Sequence, residues 1–172
     1  FRTAVGLEPN DADAHYNLGN SYSKTGDYES AIGSFKKTIE LNPGYVKAYN
    51  NLGGMYVTTG KIEEAIPLYK KAIELDPNYM KAYNGLGVAY ASTGKIDKAT
   101  ELLEKALLLE PNSAPLHFNL AVLYFNQNKY DLAITHCDKA IEFGAKVDPR
   151  FLEKLAPYRR QATDDGQPTV GR

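Results

Sequence analysis

Residues 46–79 read VKAYNNLGGMYVTTGKIEEAIPLYKKAIELDPNY, and this stretch decides the fold because its pattern occurs in four copies spaced 34 residues apart. One column at that spacing holds Leu18, Leu52, Leu86 and Leu120. A second holds Tyr22, Tyr56, Tyr90 and Tyr124, and a third Ala31, Ala65, Ala99 and Ala133. Chance does not produce three invariant columns. Gly19, Gly53 and Gly87 with Ala121, then Gly26, Gly60 and Gly94 with Asn128, and Pro43, Pro77 and Pro111 with Ala145 complete the frame. The repeats are therefore 12–45, 46–79, 80–113 and 114–147.

Within a repeat the period becomes helical. His15, Leu18, Gly19 and Tyr22 stand at i, i+3, i+4 and i+7 and form one stripe of a first helix. After the Thr25-Gly26-Asp27 turn, Tyr28, Ala31, Ile32, Phe35 and Ile39 form the stripe of a second helix, which Leu41-Asn42-Pro43-Gly44 ends. Each repeat is thus predicted to be a helical hairpin. A glycine inside a helix costs about 1 kcal/mol against alanine, so three in one column predict a tight backbone approach between helices.

These columns, with the aromatic or imidazole positions His15, Tyr49, Tyr83 and His117 and the packing positions Phe35, Tyr69, Leu103 and Cys137, resemble the tetratricopeptide repeat family. The resemblance covers residues 12–147. It implies an all-α, right-handed α-solenoid of stacked helix-turn-helix hairpins, a superhelix whose first helices line a concave groove. The pattern also extends past both ends. Phe1, Ala4, Leu7 and Pro9 lie 34 residues before Phe35, Thr38, Leu41 and Pro43, so residues 1–11 read as the end of a preceding repeat. Residues 148–160 read as a capping helix. Phe151, Leu155 and Tyr158 are expected to cover the last hairpin, Glu153, Arg159 and Arg160 to face water, and Pro157 to obstruct continuation. Residues 161–172 read as a flexible tail.

Composition bounds the function. The chain has 172 residues, 43% of them hydrophobic and 24% charged, which marks a folded chain. Its 20 Lys and Arg against 21 Asp and Glu leave a net charge of -1, so no general field draws it to nucleic acid, and no apolar run predicts membrane insertion. A single cysteine, Cys137, excludes an internal disulfide, and its column makes it a buried filler. His15 and His117 replace tyrosines in a packing column, and His136 is expected to face solvent. No metal-binding helix, phosphate loop or nucleophile turn is present in the sequence. The reading is a non-enzyme with no catalytic residue, cofactor or metal.

The binding candidates lie on the face of each first helix that the core stripe leaves free. They are Tyr16, Asn17 and Asn20; Lys47, Asn50 and Asn51; Lys81 and Asn84; and Phe118, Asn119, Val122, Phe125 and Asn126. Amides both donate and accept hydrogen bonds, which suits the backbone of an extended peptide. Lys47 and Lys81 add positive charge for acidic side chains or a C-terminal carboxylate, and Tyr16, Phe118 and Phe125 offer aromatic anchors. The set is similar to the asparagine-lined groove of the O-linked N-acetylglucosamine transferase repeats. Asn20, Asn51 and Lys81 also match the carboxylate clamp that holds chaperone tails, although Tyr16 and Gly85 stand where that pattern has Lys and Arg. The expected function is a scaffold or adaptor that binds a protein segment. The alternatives are self-association through the incomplete first repeat, or the regulatory part of a larger enzyme.

Overall fold

The structure, a computed structural model, describes residues 10–164, with side chains as far as Arg159. Nine helices and no strand occur among the described residues. They are α1 (Ala12–Thr25), α2 (Tyr28–Leu41), α3 (Val46–Thr58), α4 (Ile62–Leu75), α5 (Met80–Ser92), α6 (Ile96–Leu109), α7 (Ala114–Asn126), α8 (Tyr130–Glu142) and α9 (Pro149–Asp164). Two helices fall in each repeat, so the fold is all-α and belongs to the helical-hairpin solenoid class. No helix among the described residues is long and apolar enough to cross a membrane.

Local chemistry sets the helix ends. Gly26, Gly60 and Gly94 follow α1, α3 and α5 with φ of 81°, 78° and 76°, a left-handed conformation that glycine adopts without a Cβ penalty. Asn128, in the same column, has φ 58°, and asparagine tolerates this region well. The fourth repeat therefore keeps the turn despite losing the glycine. Asp27 starts α2, its carboxylate accepting from the Ser30 amide at 3.1 Å.

The chain divides into two compact bodies, Phe1–Lys95 and Ile96–Arg172. In the first, Ala31 and Phe35 are fully buried and Leu52 nearly so, with Tyr22, Ile32, Met55 and Tyr56 packed against them. The glycine column has a specific neighbour. A Cβ on Gly19 would lie 2.7 Å from Phe35 Cε1, and one on Gly53 would lie 2.9 Å from Tyr69 Cε1. The close approach expected from sequence is thus between helix backbone and an aromatic ring of the second helix, not between two backbones. The fourth repeat balances the same pair differently: Ala121 stands in the glycine column, and the small Cys137 stands in the ring column, 16 residues further on.

The second body holds α6 to α9. Leu103, Leu116, Leu120 and Leu155 are fully buried, as is Cys137, whose thiol burial pushes up. Leu155, Phe151 and Tyr158 bring α9 against α7 and α8. Phe151 meets Phe118 and Phe125 edge-on at 5.7 Å, and Tyr158 stacks on Tyr130 at 3.5 Å. Two expectations change. The helix passes through Pro157, which is exposed, and runs to Asp164. Arg159 forks onto the Asp138 carboxylate instead of simply facing solvent. Residues 161–164, read as tail, are therefore helical. Residues 1–9, 165–172 and the Arg160 side chain lie outside the described residues.

Candidate functional site

In the first body, α1, α3 and α5 are the first helices of their repeats, and the free faces of α1 and α3 bring four of the expected residues together. Asn51 is the hub. Its amide nitrogen donates to Asn20 Oδ1 at 2.9 Å and to Tyr16 Oη at 3.2 Å, while its oxygen accepts from Asn50 Nδ2 at 3.2 Å. Asn51 thereby spends both of its hydrogens inside the cluster, whereas Asn50 keeps its oxygen and one N–H for another molecule. Tyr16 contributes its hydroxyl rather than a free ring, because the ring packs on Phe35 at 5.8 Å and on Tyr45 at 4.9 Å. Tyr45 donates in turn to Asp13 at 2.6 Å.

Beside the hub opens a cavity of about 300 Å³, with Asn50, Asn51 and Ser23 among its polar lining and Phe35 and Met55 among its apolar lining. Lys81 stands at the same cavity, and none of the ion pairs among the described residues uses it. Two glycines, Gly54 and Gly85, line the cavity and leave it clear of side chains. Their columns hold Asn20, Val88 and Val122 in one case and Asn17, Asn51 and Asn119 in the other, so a side chain is the rule there. The space they vacate exposes part of Tyr69, a second-helix residue that sequence reasoning placed only in the packing column. The Tyr69 ring lies against Gly53 and closer still to Gly85, with its hydroxyl 3.9 Å from where a Gly54 Cβ would sit. Tyr69 is 5% exposed, its hydroxyl has no hydrogen-bond partner among the described residues, and burial pushes the phenol up to about 12. It is therefore a protonated donor at neutral pH.

The other expected residues are placed differently. Asn17 and Lys47 are exposed on the first body, and Asn84 is half-buried; none of the three lines this cavity. In the second body, Phe118 and Phe125 seat Phe151 of α9, so their ring edges serve the capping helix. Asn119 and Val122 are half-buried, and Asn126 is exposed.

His136 does not face solvent freely. Its Nδ1 lies 2.9 Å from His117 Nδ1, and its ring is half-buried beside Tyr124 at 5.3 Å. His117 Nε2 is 2.9 Å from the Pro111 carbonyl oxygen, which only accepts, so Nε2 carries a proton and donates to it. Tyr83 spends its hydroxyl on the Pro77 carbonyl in the same way one repeat earlier. Burial, with the neighbouring His117 and Lys139 charges, pushes His136 down to about 4, so the His136 ring is neutral near pH 7. Among the described residues no cluster of three His, Cys, Asp or Glu is arranged to hold a metal ion.

Models of the tetratricopeptide repeat match residues 12–45, 34–66 and 92–156, and a model described as a TPR repeat matches residues 53–94. The crystal structure of MamA is similar at 30% identity, covering 83% of this chain and 83% of that one with a TM-score of 0.75. A thermophilic TPR protein of Thermus thermophilus is 28% identical over 91% of this chain and 85% of its own, with a TM-score of 0.73. YrrB, described as a TPR protein with an unusual peptide-binding site, is 25% identical over 92% of this chain and 78% of its own, with a TM-score of 0.69. No curated protein matches by sequence.

Proposed function

We propose, from the premise that this chain belongs to the tetratricopeptide repeat family, that it binds an extended segment of another protein on the face formed by α1, α3 and α5. The repeats make it a protein-interaction scaffold in general terms, a typical non-catalytic module. The observation that carries the finer reading is the amide hub around Asn51, set against a 300 Å³ cavity and Lys81, which no ion pair among the described residues uses. Asn51 is held by Tyr16 and Asn20, so Asn50 is presented in a fixed direction and loses little rotamer freedom on binding. Its oxygen and remaining N–H match the N–H and C=O of a peptide backbone, and Lys47 and Lys81 favour segments that carry acidic side chains or a C-terminal carboxylate. The peptide-binding site named for YrrB is consistent with this reading of a similar fold. Self-association through an incomplete first repeat rests on residues 1–9, outside the described residues, and no observation favours it.

A displayed library of random twelve-residue peptides, selected in parallel on the native chain and on a variant with Asn51→Leu and Lys81→Glu, tests the proposal. Enrichment of acidic sequences on the native chain alone supports it. Equal enrichment on both, with circular dichroism unchanged, or none on either, overturns it.

A further inference from the structure

The cavity in the first body has a feature that the amide hub does not use. In the column that also contains Phe35, Leu103 and Cys137, the hydroxyl of Tyr69 has no counterpart, and that hydroxyl adds nothing to ring packing. The Tyr69 ring is held in the core at 5% exposure, but its hydroxyl is not one of the buried side-chain atoms left without a partner; it makes no hydrogen bond among the described residues and reaches the cavity instead. Gly85 and Gly53 admit the ring, and Gly54 leaves clear the space beside the hydroxyl, where a side chain would shut the cavity.

We infer that Tyr69 is the floor donor of a pocket for one glutamate side chain of the bound segment, the Tyr69 O–H and the Lys81 ammonium both donating to its carboxylate. The inference rests on the reading of the α1, α3 and α5 face as a peptide site and adds which side chain that site selects. Apolar Phe35 and Met55 in the lining ask for a methylene stem ahead of the polar group, which glutamate has. The remaining N–H of Asn50 stays with the peptide backbone, so the two donors to the carboxylate are the Tyr69 hydroxyl and the Lys81 ammonium. At about 300 Å³ the cavity has room for the side chain and the water it keeps. The donor comes from a second helix, behind the first-helix face, so the pocket reads a side chain that points inward and not the strand of backbone above it.

The test uses the complete 172-residue chain and three fluorescein-labelled peptides built on the acidic sequence that library selection returns: the selected peptide with its inward glutamate, the same peptide with glutamine there, and that glutamine peptide with a free C-terminal carboxylate in place of an amide. Anisotropy on the native chain is expected to show at least about tenfold tighter binding of glutamate than glutamine. Tyr69→Phe is expected to remove most of that preference while leaving the melting temperature close to that of the native chain, since it keeps the ring and its packing. Gly54→Leu fills the space beside the hydroxyl and should abolish the preference with Tyr69 itself retained. Retention of the full preference in Tyr69→Phe overturns the pocket and leaves the peptide face standing. Recovery of affinity by the C-terminal carboxylate alone overturns the side-chain assignment. Failure of every acidic peptide to bind the native chain overturns both.

Discussion

Replacing Gly19 by alanine isolates the contact on which each hairpin of the first body is built. The new Cβ would stand 2.7 and 2.8 Å from Phe35 Cε1 and Cδ1, nearer than real Cβ atoms come to anything. Phe35 is fully buried, so either the ring leaves its rotamer or α1 lifts from α2. Overpacking of this kind costs about 1 to 3 kcal/mol. The helix itself gains about 1 kcal/mol from exchanging glycine for alanine. The net is a loss of up to about 2 kcal/mol, reduced to the extent that the ring can shift into the cavity it lines. Gly33, inside α2 with nothing within 4 Å of its Cβ position, supplies the control: Gly33→Ala should stabilise by up to about 1 kcal/mol. One substitution thus changes sign with its surroundings. A Phe35→Cys background, copying the Ala121 and Cys137 pairing of the fourth repeat, should turn Gly19→Ala from harmful to neutral or favourable. Urea denaturation of the native chain and these variants measures all of this. Equal stabilisation by Gly19→Ala and Gly33→Ala in the native background would refute the ring contact.

His136 is pushed from its usual 6.5 down to about 4, so the unfolded chain takes up its proton first and stability falls as pH drops from about 6.5 towards 4. Allowing for the solvent its half-buried ring still meets, the loss is about 1 to 2 kcal/mol; His136→Leu should flatten the melting temperature over that range, and an unchanged slope would contradict it. Phe151→Ala removes both edge contacts to Phe118 and Phe125 and should cost about 2 kcal/mol, with amide exchange rising first in α9; protection equal to the native chain would count against the seat. Asp27→Ala deletes the cap of α2 and should cost about 1 kcal/mol by urea titration, where Asp27→Ser should cost less. Lys47→Ala combined with Lys81→Ala should weaken an acidic ligand with helicity and melting temperature unchanged; matched losses of binding and stability would instead mark both lysines as structural.

The repeat spacing made the helices legible, since the columns of Leu18, Tyr22 and Ala31 fix period, face and turn together and each copy confirms the others. The partner of the glycine column was not legible, because a glycine shows that something is close but not whether it is backbone or ring. Pro157 misled because the rule against interior proline holds where the lost hydrogen bond is buried, and here the proline is exposed. On the binding face, Asn20, Asn50 and Asn51 stand out by their column positions. Their mutual hydrogen bonds do not, because those depend on rotamers that spacing does not set. Tyr69 escapes notice in the sequence for the same reason that it fits: its ring satisfies the packing column, and only the clearing around it at Gly54 and Gly85 turns its hydroxyl to account. The signal is present in the sequence as two glycines in columns that otherwise carry side chains. His136 reads as a helix-surface residue, whereas its partner His117 lies 19 residues away.

Chemical-shift mapping of the isotopically labelled chain during titration with a selected acidic peptide locates the binding face without any mutation. Saturable shifts are expected at Asn20, Asn50, Asn51, Gly54, Tyr69 and Lys81, with the α2 surface around Gly33 still. Saturable shifts gathered on other helices, or none up to millimolar peptide, would rule that face out.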